Sequence, residues 1–136
     1  VFNVSIQPRK QRKILYTAPP HLRNKFLHAH LSNELRERYH RRSIRVKKGD
    51  SVIVIRGDSK GHEGKVVRVD TERGFVYIEG LTMKDSRGRT VLKPVHVSKI
   101  IITKLDLSDE KRQAKIEALG KAVANTQTNE KVGEKP

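Results

Sequence analysis

The chain has no cysteine, no tryptophan and only six other aromatics, Phe2, Tyr16, Phe26, Tyr39, Phe75 and Tyr77. Without thiols there are no disulfides and no thiolate metal sites, which fits an intracellular protein. At most two of the aromatics fall in the strand-rich middle of the chain, too few to line a groove for proline-rich peptides. Long apolar runs are missing as well. The longest, Val52 to Ile55 and Ile100 to Ile102, fall far short of the roughly 20 residues of a membrane span, so no membrane insertion is expected. Gln7 to Lys13 is polar throughout with no apolar segment after it, so no secretory leader is expected either.

Acidic residues are in short supply. Thirty lysines and arginines face fifteen aspartates and glutamates, a net charge of +15 over 136 residues with a pI near 10.4. Such an excess opposes self-association, so no homo-oligomer is expected, and it favours a polyanionic partner, nucleic acid first. Residues 1–48 hold thirteen basic side chains against Glu34 and Glu37, residues 49–104 eleven against seven, and residues 105–136 six against six. Charge concentrated ahead of the apolar middle is how a binding arm is built.

Catalysis and metal binding find little support. Asp58, Glu63, Asp70 and Glu72 sit in turn-like stretches beside lysine or arginine, and no serine or threonine has a base and an orienting acid in a recognisable spacing. No enzyme is expected. The six histidines, His21, His28, His30, His40, His62 and His96, lack flanking carboxylate clusters, so neither a metal nor a cofactor is expected. Ser59 to Val66 imitates a nucleotide-binding loop, but Ser59 replaces its first glycine and Val66 its magnesium-binding hydroxyl. Arg73-Gly74-Phe75-Val76-Tyr77 imitates the aromatic strand of RNA-recognition domains. The neighbouring loops are too short for that fold's helices, so Phe75 and Tyr77 are expected in the core.

What is present is a glycine-punctuated hairpin. Val52 to Ile55 forms a short apolar strand, Gly57 to Gly64 a polar loop carrying Lys60, Gly61 and His62, and Lys65 to Asp70 a valine-rich return. Strands this close must be antiparallel. The glycines supply positive-φ or close-approach positions, and Lys60 and Lys65 beside backbone N–H groups suit phosphate oxygens. Alternation predicts strands at about 51–56, 64–70, 74–81, 90–93 and 99–104, a small and strongly bent barrel. Residues 1–18 lack periodicity and read as a basic extended arm. Residues 19–43 read as short helices packed on the barrel, one from Pro20 to about His28 and one capped by Ser32 that carries Leu31, Leu35 and Tyr39 as its apolar stripe. The barrel itself spans 44–104. Ser108 is expected to cap a helix over 105–124 with Ile116, Leu119 and Val123 on one side, followed by a polar tail over 125–136.

The hairpin resembles the KOW motif of small SH3-like β-barrels. The wider run from Gln7 to Arg112 resembles a universal large-subunit ribosomal protein family, number twenty-four in bacterial numbering and twenty-six in the eukaryotic scheme. The match is carried by Lys10-Gln-Arg-Lys13, Ala18-Pro-Pro-His-Leu-Arg23, Leu31-Ser-Asn-Glu-Leu-Arg36, Tyr39, Arg45-Val-Lys-Lys-Gly-Asp50, the hairpin to Asp70, His96-Val-Ser-Lys99 and Leu105-Asp-Leu-Ser-Asp-Glu-Lys-Arg112. The N-terminal extension and the Leu-Asp-Leu ending are of the archaeal and eukaryotic type, and Gly57-Asp58 leans archaeal. Residues 82–89 are a modest insertion, and 125–136 follows no family pattern.

The resemblance implies a mainly β fold, an SH3-like barrel with a KOW hairpin, a basic N-terminal extension and a C-terminal helix. It implies a structural constituent of the large ribosomal subunit in the cytoplasm, bound to the 5′ domain of large-subunit rRNA, acting early in assembly and lying near the nascent-chain tunnel exit. Neighbouring ribosomal proteins are implied partners, with nascent-chain or targeting factors at the exit. The residues expected to touch RNA are Arg9, Lys10, Arg12 and Lys13 in the arm, and His21, Arg23, Lys25, Arg41, Arg42 and Arg45 before the barrel. Within the barrel they are Arg56, Lys60, Gly61, His62, Gly64, Lys65 and Lys99. The alternative reading is a KOW-containing transcription elongation factor that binds RNA polymerase or nascent RNA. Such factors carry a separate α/β domain ahead of the barrel, whereas here only about fifty strongly basic residues precede it.

Overall fold

The computed structural model describes residues 5–118. Helix α1 (Pro8–Thr17) is followed by the short α2 (Pro20–Arg23) and a 3-10 turn at Asn24–Phe26. Strand β1 (His28–Leu31), helix α3 (Asn33–Tyr39) and strand β2 (Ser43–Arg45) come next. Strands β3 (Ser51–Val54), β4 (Glu63–Asp70), β5 (Phe75–Lys84), β6 (Thr90–His96) and β7 (Ile100–Lys104) follow, and α4 covers residues 110–118.

Seven strands form one sheet in the order β2-β1-β7-β3-β4-β5-β6. All neighbours are antiparallel except β1 and β7, which run parallel with His30 opposite Ile101. Ala29 and Ile44 from one end of that order share a single buried cluster with Val76 and Val95 from the other. The sheet must therefore curl on itself, and register shifts between Val66 and Arg68 on β4 and between Tyr77 and Thr82 on β5 supply local bends. The result is a small, mainly β, barrel-like fold. Its core is dominated by aliphatic residues of modest size, among them Val52, Val54, Val66, Val76, Ile78, Ile100 and Ile102.

Three readings of the sequence need correction. Residues 8–17 are helical, not extended. Pro8 sits at the first helical position, the arginines, lysines and leucine that follow are good helix formers, and Ala18 ends the helix because the residue before Pro19 is pushed to extended geometry, here φ −61° and ψ 133°. Residues 19–43 do more than pack helices on a barrel, since β1 and β2 are strands of the sheet. The helix expected to reach His28 stops at Phe26, which is exposed, while its neighbour Leu27 is fully buried. Finally, α4 starts at residue 110 and is capped by Asp109, not Ser108. The Asp109 carboxylate accepts from the Lys111 N–H at 3.1 Å and its carbonyl from the Gln113 N–H at 3.0 Å. Ile116 is buried as expected, while Leu119, Val123 and the 125–136 tail lie outside the described residues.

The strands read from alternation and the second helix stand close to the mark. All five predicted strands are present, and Ser32 occupies the N-cap of α3 without a side-chain bond. Leu31 is buried, with Leu35 and Tyr39 packed partly against the core.

Candidate nucleic-acid interface

The glycine loop is built as a closed turn. Gly57 and Gly61 hold φ +95° and +88°, in the left-handed region that glycine tolerates. The Gly61 N–H donates to the Val54 carbonyl at 2.8 Å, the His62 N–H to Ser59 at 3.2 Å and the Lys60 N–H to Gly57 at 3.2 Å. These three amides are taken up within the hairpin, and the loop presents Arg56, Lys60 and Lys65 along it, with Lys99 exposed nearby. Gly64 serves a different purpose. A Cβ there would stand 2.7 Å from the Glu79 carbonyl oxygen and 2.7 Å from Ile78 Cγ2, so glycine is what lets β4 approach β5. The His62 ring is tied to the barrel, with Nε2 2.9 Å from the Glu79 carbonyl oxygen.

At the other end of β3 a buried carboxylate ties the C-terminal segment to the sheet. Asp50 is fully buried and accepts four hydrogen bonds. The Lys47 N–H donates at 2.8 Å, the Asp106 N–H at 2.9 Å, and the Arg112 guanidinium in a two-pronged fork at 2.7 and 2.8 Å. Arg112 also donates to the Asp106 and Arg45 carbonyls at 2.8 and 3.1 Å. Two further carboxylates frame this knot. Asp106 is held below its usual pKa chiefly by hydrogen bonds from the Ser108 backbone and hydroxyl, and Asp109 chiefly by the Lys47 ammonium at 2.7 Å.

Among the arm residues, Arg9, Lys10, Arg12 and Lys13 stand exposed on α1, a helix with no buried residue. His21, Lys25 and Arg42 are also exposed. Arg23 is occupied internally, since its Nε donates to the Ala18 carbonyl at 2.8 Å and its Nη2 to the Tyr16 carbonyl at 2.7 Å, closing the end of α1. Arg41 and Arg45 come together beside α4, lining a hollow of about 350 Å³ with Lys47, Lys111, Arg112 and Lys115. Sequence reasoning missed Lys111 and Lys115, because only tertiary structure brings α4 against β2.

The expectation for Phe75 and Tyr77 is overturned. Val76 and Ile78 face the core, fully buried, and the two aromatics lie half-buried on the opposite face. The Arg68 guanidinium sits 5.8 Å from the centre of the Tyr77 ring, and Phe75 meets His96 edge-on at 5.8 Å. The tightly curled interior takes the smaller β-branched side chains, and the rings go outside. Among the described residues no three His, Asp or Glu side chains converge as a metal would need, and no helix is long and apolar enough to cross a membrane.

A barrel-like sheet with a basic helical arm, a glycine hairpin and a clasped C-terminal segment can be compared with known proteins as a whole. Residues 5–118 match the family of ribosomal proteins that comprises L26 in eukaryotes and L24 in archaea. The chain belongs to this family. It is 51% identical over 114 residues to "Large ribosomal subunit protein uL24" of Saccharolobus solfataricus, an alignment covering 84% of this chain and 96% of that one. It is 48% identical over 112 residues to the protein of the same name from Pyrobaculum islandicum, covering 82% and 91%. The archaeal side of the family fits this chain. Membership makes it a ribosomal structural protein and not an enzyme, and the elongation-factor reading falls away.

Proposed function

We propose that the chain is a structural constituent of the large ribosomal subunit in the cytoplasm, binding the 5′ domain of large-subunit rRNA early in assembly and lying near the nascent-chain tunnel exit among neighbouring ribosomal proteins. The observation that supports this most is similarity over 82–84% of the chain to large-subunit proteins, joined to a net charge of +15. The mechanism is charge neutralisation. Exposed lysines and arginines on α1, around β2 and on the glycine loop displace condensed counterions from RNA phosphates, while the barrel fixes their spacing. Basic side chains on an exposed helix without a core partner gain order from the RNA they bind. Co-sedimentation with large subunits tests the reading: the chain should stay bound in low salt and be lost only under stringent salt. Absence from the subunit fraction at every salt concentration would contradict it.

A further inference from the structure

The basic concavity of this fold lies at the end of β3 away from the glycine loop. The hollow between β2 and α4 shares Arg45, Val46 and Lys47 with a second one of about 540 Å³, lined further by Leu27, Lys48, Val67, Arg68, Val69 and Thr71. The two adjoin through these residues, and we treat them as one trough whose apolar lining includes Ile44, Val46, Val67 and Ile116. Its one acidic lining residue is Asp109, already paired to Lys47 at 2.7 Å. Among the described residues, the side chains of Arg41, Arg45, Lys48, Lys111 and Lys115 have no acidic partner. The groove beside the glycine loop is different. There Glu63 and Glu79 offset Lys65 and Lys104, and Asp58 lies 3.9 Å from Lys93.

Clustered like charges in one concavity raise its potential and repel one another until an anion arrives. An apolar floor beneath them suits the ribose and base faces of a strand whose phosphates meet the cationic rim. At the far end, Arg68 over Tyr77 continues the trough onto the outward aromatic face. We infer that a ribose-phosphate strand of RNA lies along this trough, from α4 past Arg45 to Arg68, and that the trough rather than the glycine loop carries most of the phosphate contacts made by the barrel. The inference rests on the proposed rRNA-binding role and assigns Lys48, Arg68, Lys111 and Lys115 to it.

The test compares two sets of residues in the full chain, titrated with a transcript of the rRNA 5′ domain at several salt concentrations. Changing Lys48, Arg68, Lys111 and Lys115 together to glutamine should lower the salt slope by about three units, since each phosphate contact contributes about one. Changing Arg56, Lys60 and Lys65 to glutamine should lower it by about one or less. A version of the first variant with arginine at 48, 111 and 115 should recover most of the loss, which separates charge from misfolding. Equal slopes for the trough variant and the unaltered chain, or a larger loss from the loop variant, would overturn the inference while leaving the rRNA reading intact. Failure of the unaltered chain to bind the transcript would overturn both. Competition by millimolar inorganic phosphate that abolishes RNA binding through the trough alone would show a free-anion site and also overturn it.

Discussion

Gly61 and Gly64 lie three residues apart and are glycine for different reasons. At Gly61 the surroundings are open and the constraint is φ +88°. Alanine there is expected to cost about 1–2 kcal/mol, the penalty of a left-handed L-residue. At Gly64 the backbone is ordinary, but a Cβ would press 2.7 Å from the Glu79 carbonyl oxygen. Alanine there forces β4 from β5 and should cost about 1–3 kcal/mol. Because the His62 bond to Glu79 shares that spot, the Gly64 variant should also shift the His62 ring resonances. Urea denaturation beside NMR checks both, and silence in both variants would show an ordinary surface turn. Asp50 sets a harsher condition. Removing its partner with Arg112→Met leaves a carboxylate buried without its cation, an expected loss of about 3–5 kcal/mol. Replacing Asp50 as well should not restore stability, since the Lys47 and Asp106 N–H groups would then lose their acceptor. Full recovery in the double variant would contradict this role for the knot.

At the scale of elements, α1 is the part most separable from the rest. It buries no residue, and an isolated helix of this length is marginal in water. Deleting residues 1–17, which spares the buried Ala18, should move the melting temperature by no more than about two degrees, because α1 buries none of its own residues and the bonds lost, from the Ala18 N–H to Ile14 and from Arg23 to Tyr16, lie at its C-terminal end. RNA affinity and salt slope should both fall, and a collapsed melt would show that the helix is part of the folding unit. The clasp of α4 responds to acid. The Asp106 and Asp109 carboxyls titrate below the usual 3.8, the first through Ser108 and the second through Lys47. Their support is therefore complete above the unfolded pKa and lost as pH falls through the lower folded values. Amide-exchange protection in residues 110–118, measured against the intrinsic rate at each pH, should fall below about pH 4, and Asp109→Asn should flatten part of that dependence.

How much of this was legible in the sequence also divides by element. Strands β3 to β7 were readable because alternation and glycine turns are local signals. Strand β1 was not, since His28-Ala29-His30-Leu31 is short, follows two helical turns, and gains its identity from pairing with the distant β7. The Phe75-Val76-Tyr77-Ile78 stretch offers two equally apolar faces, so its inward side is decided by the curvature of the whole sheet. For the candidate site, the loop lysines and the arm were visible as charge. The trough was not, because one half exists only where α4 is held against β2 by Arg112 and Asp50, and the other joins Leu27 and Lys48 to residues of β4 distant in sequence.

At the scale of the whole molecule, the proposed role casts the excess of cations, a net charge of +15, as a means of neutralising RNA phosphates. The most direct measurement is the dependence of affinity on salt for the full chain and the 5′-domain transcript of large-subunit rRNA. With about six to ten phosphates neutralised, affinity should fall about 10³- to 10⁵-fold between roughly 50 and 200 mM salt. A slope equivalent to only about one or two ion pairs would contradict this role.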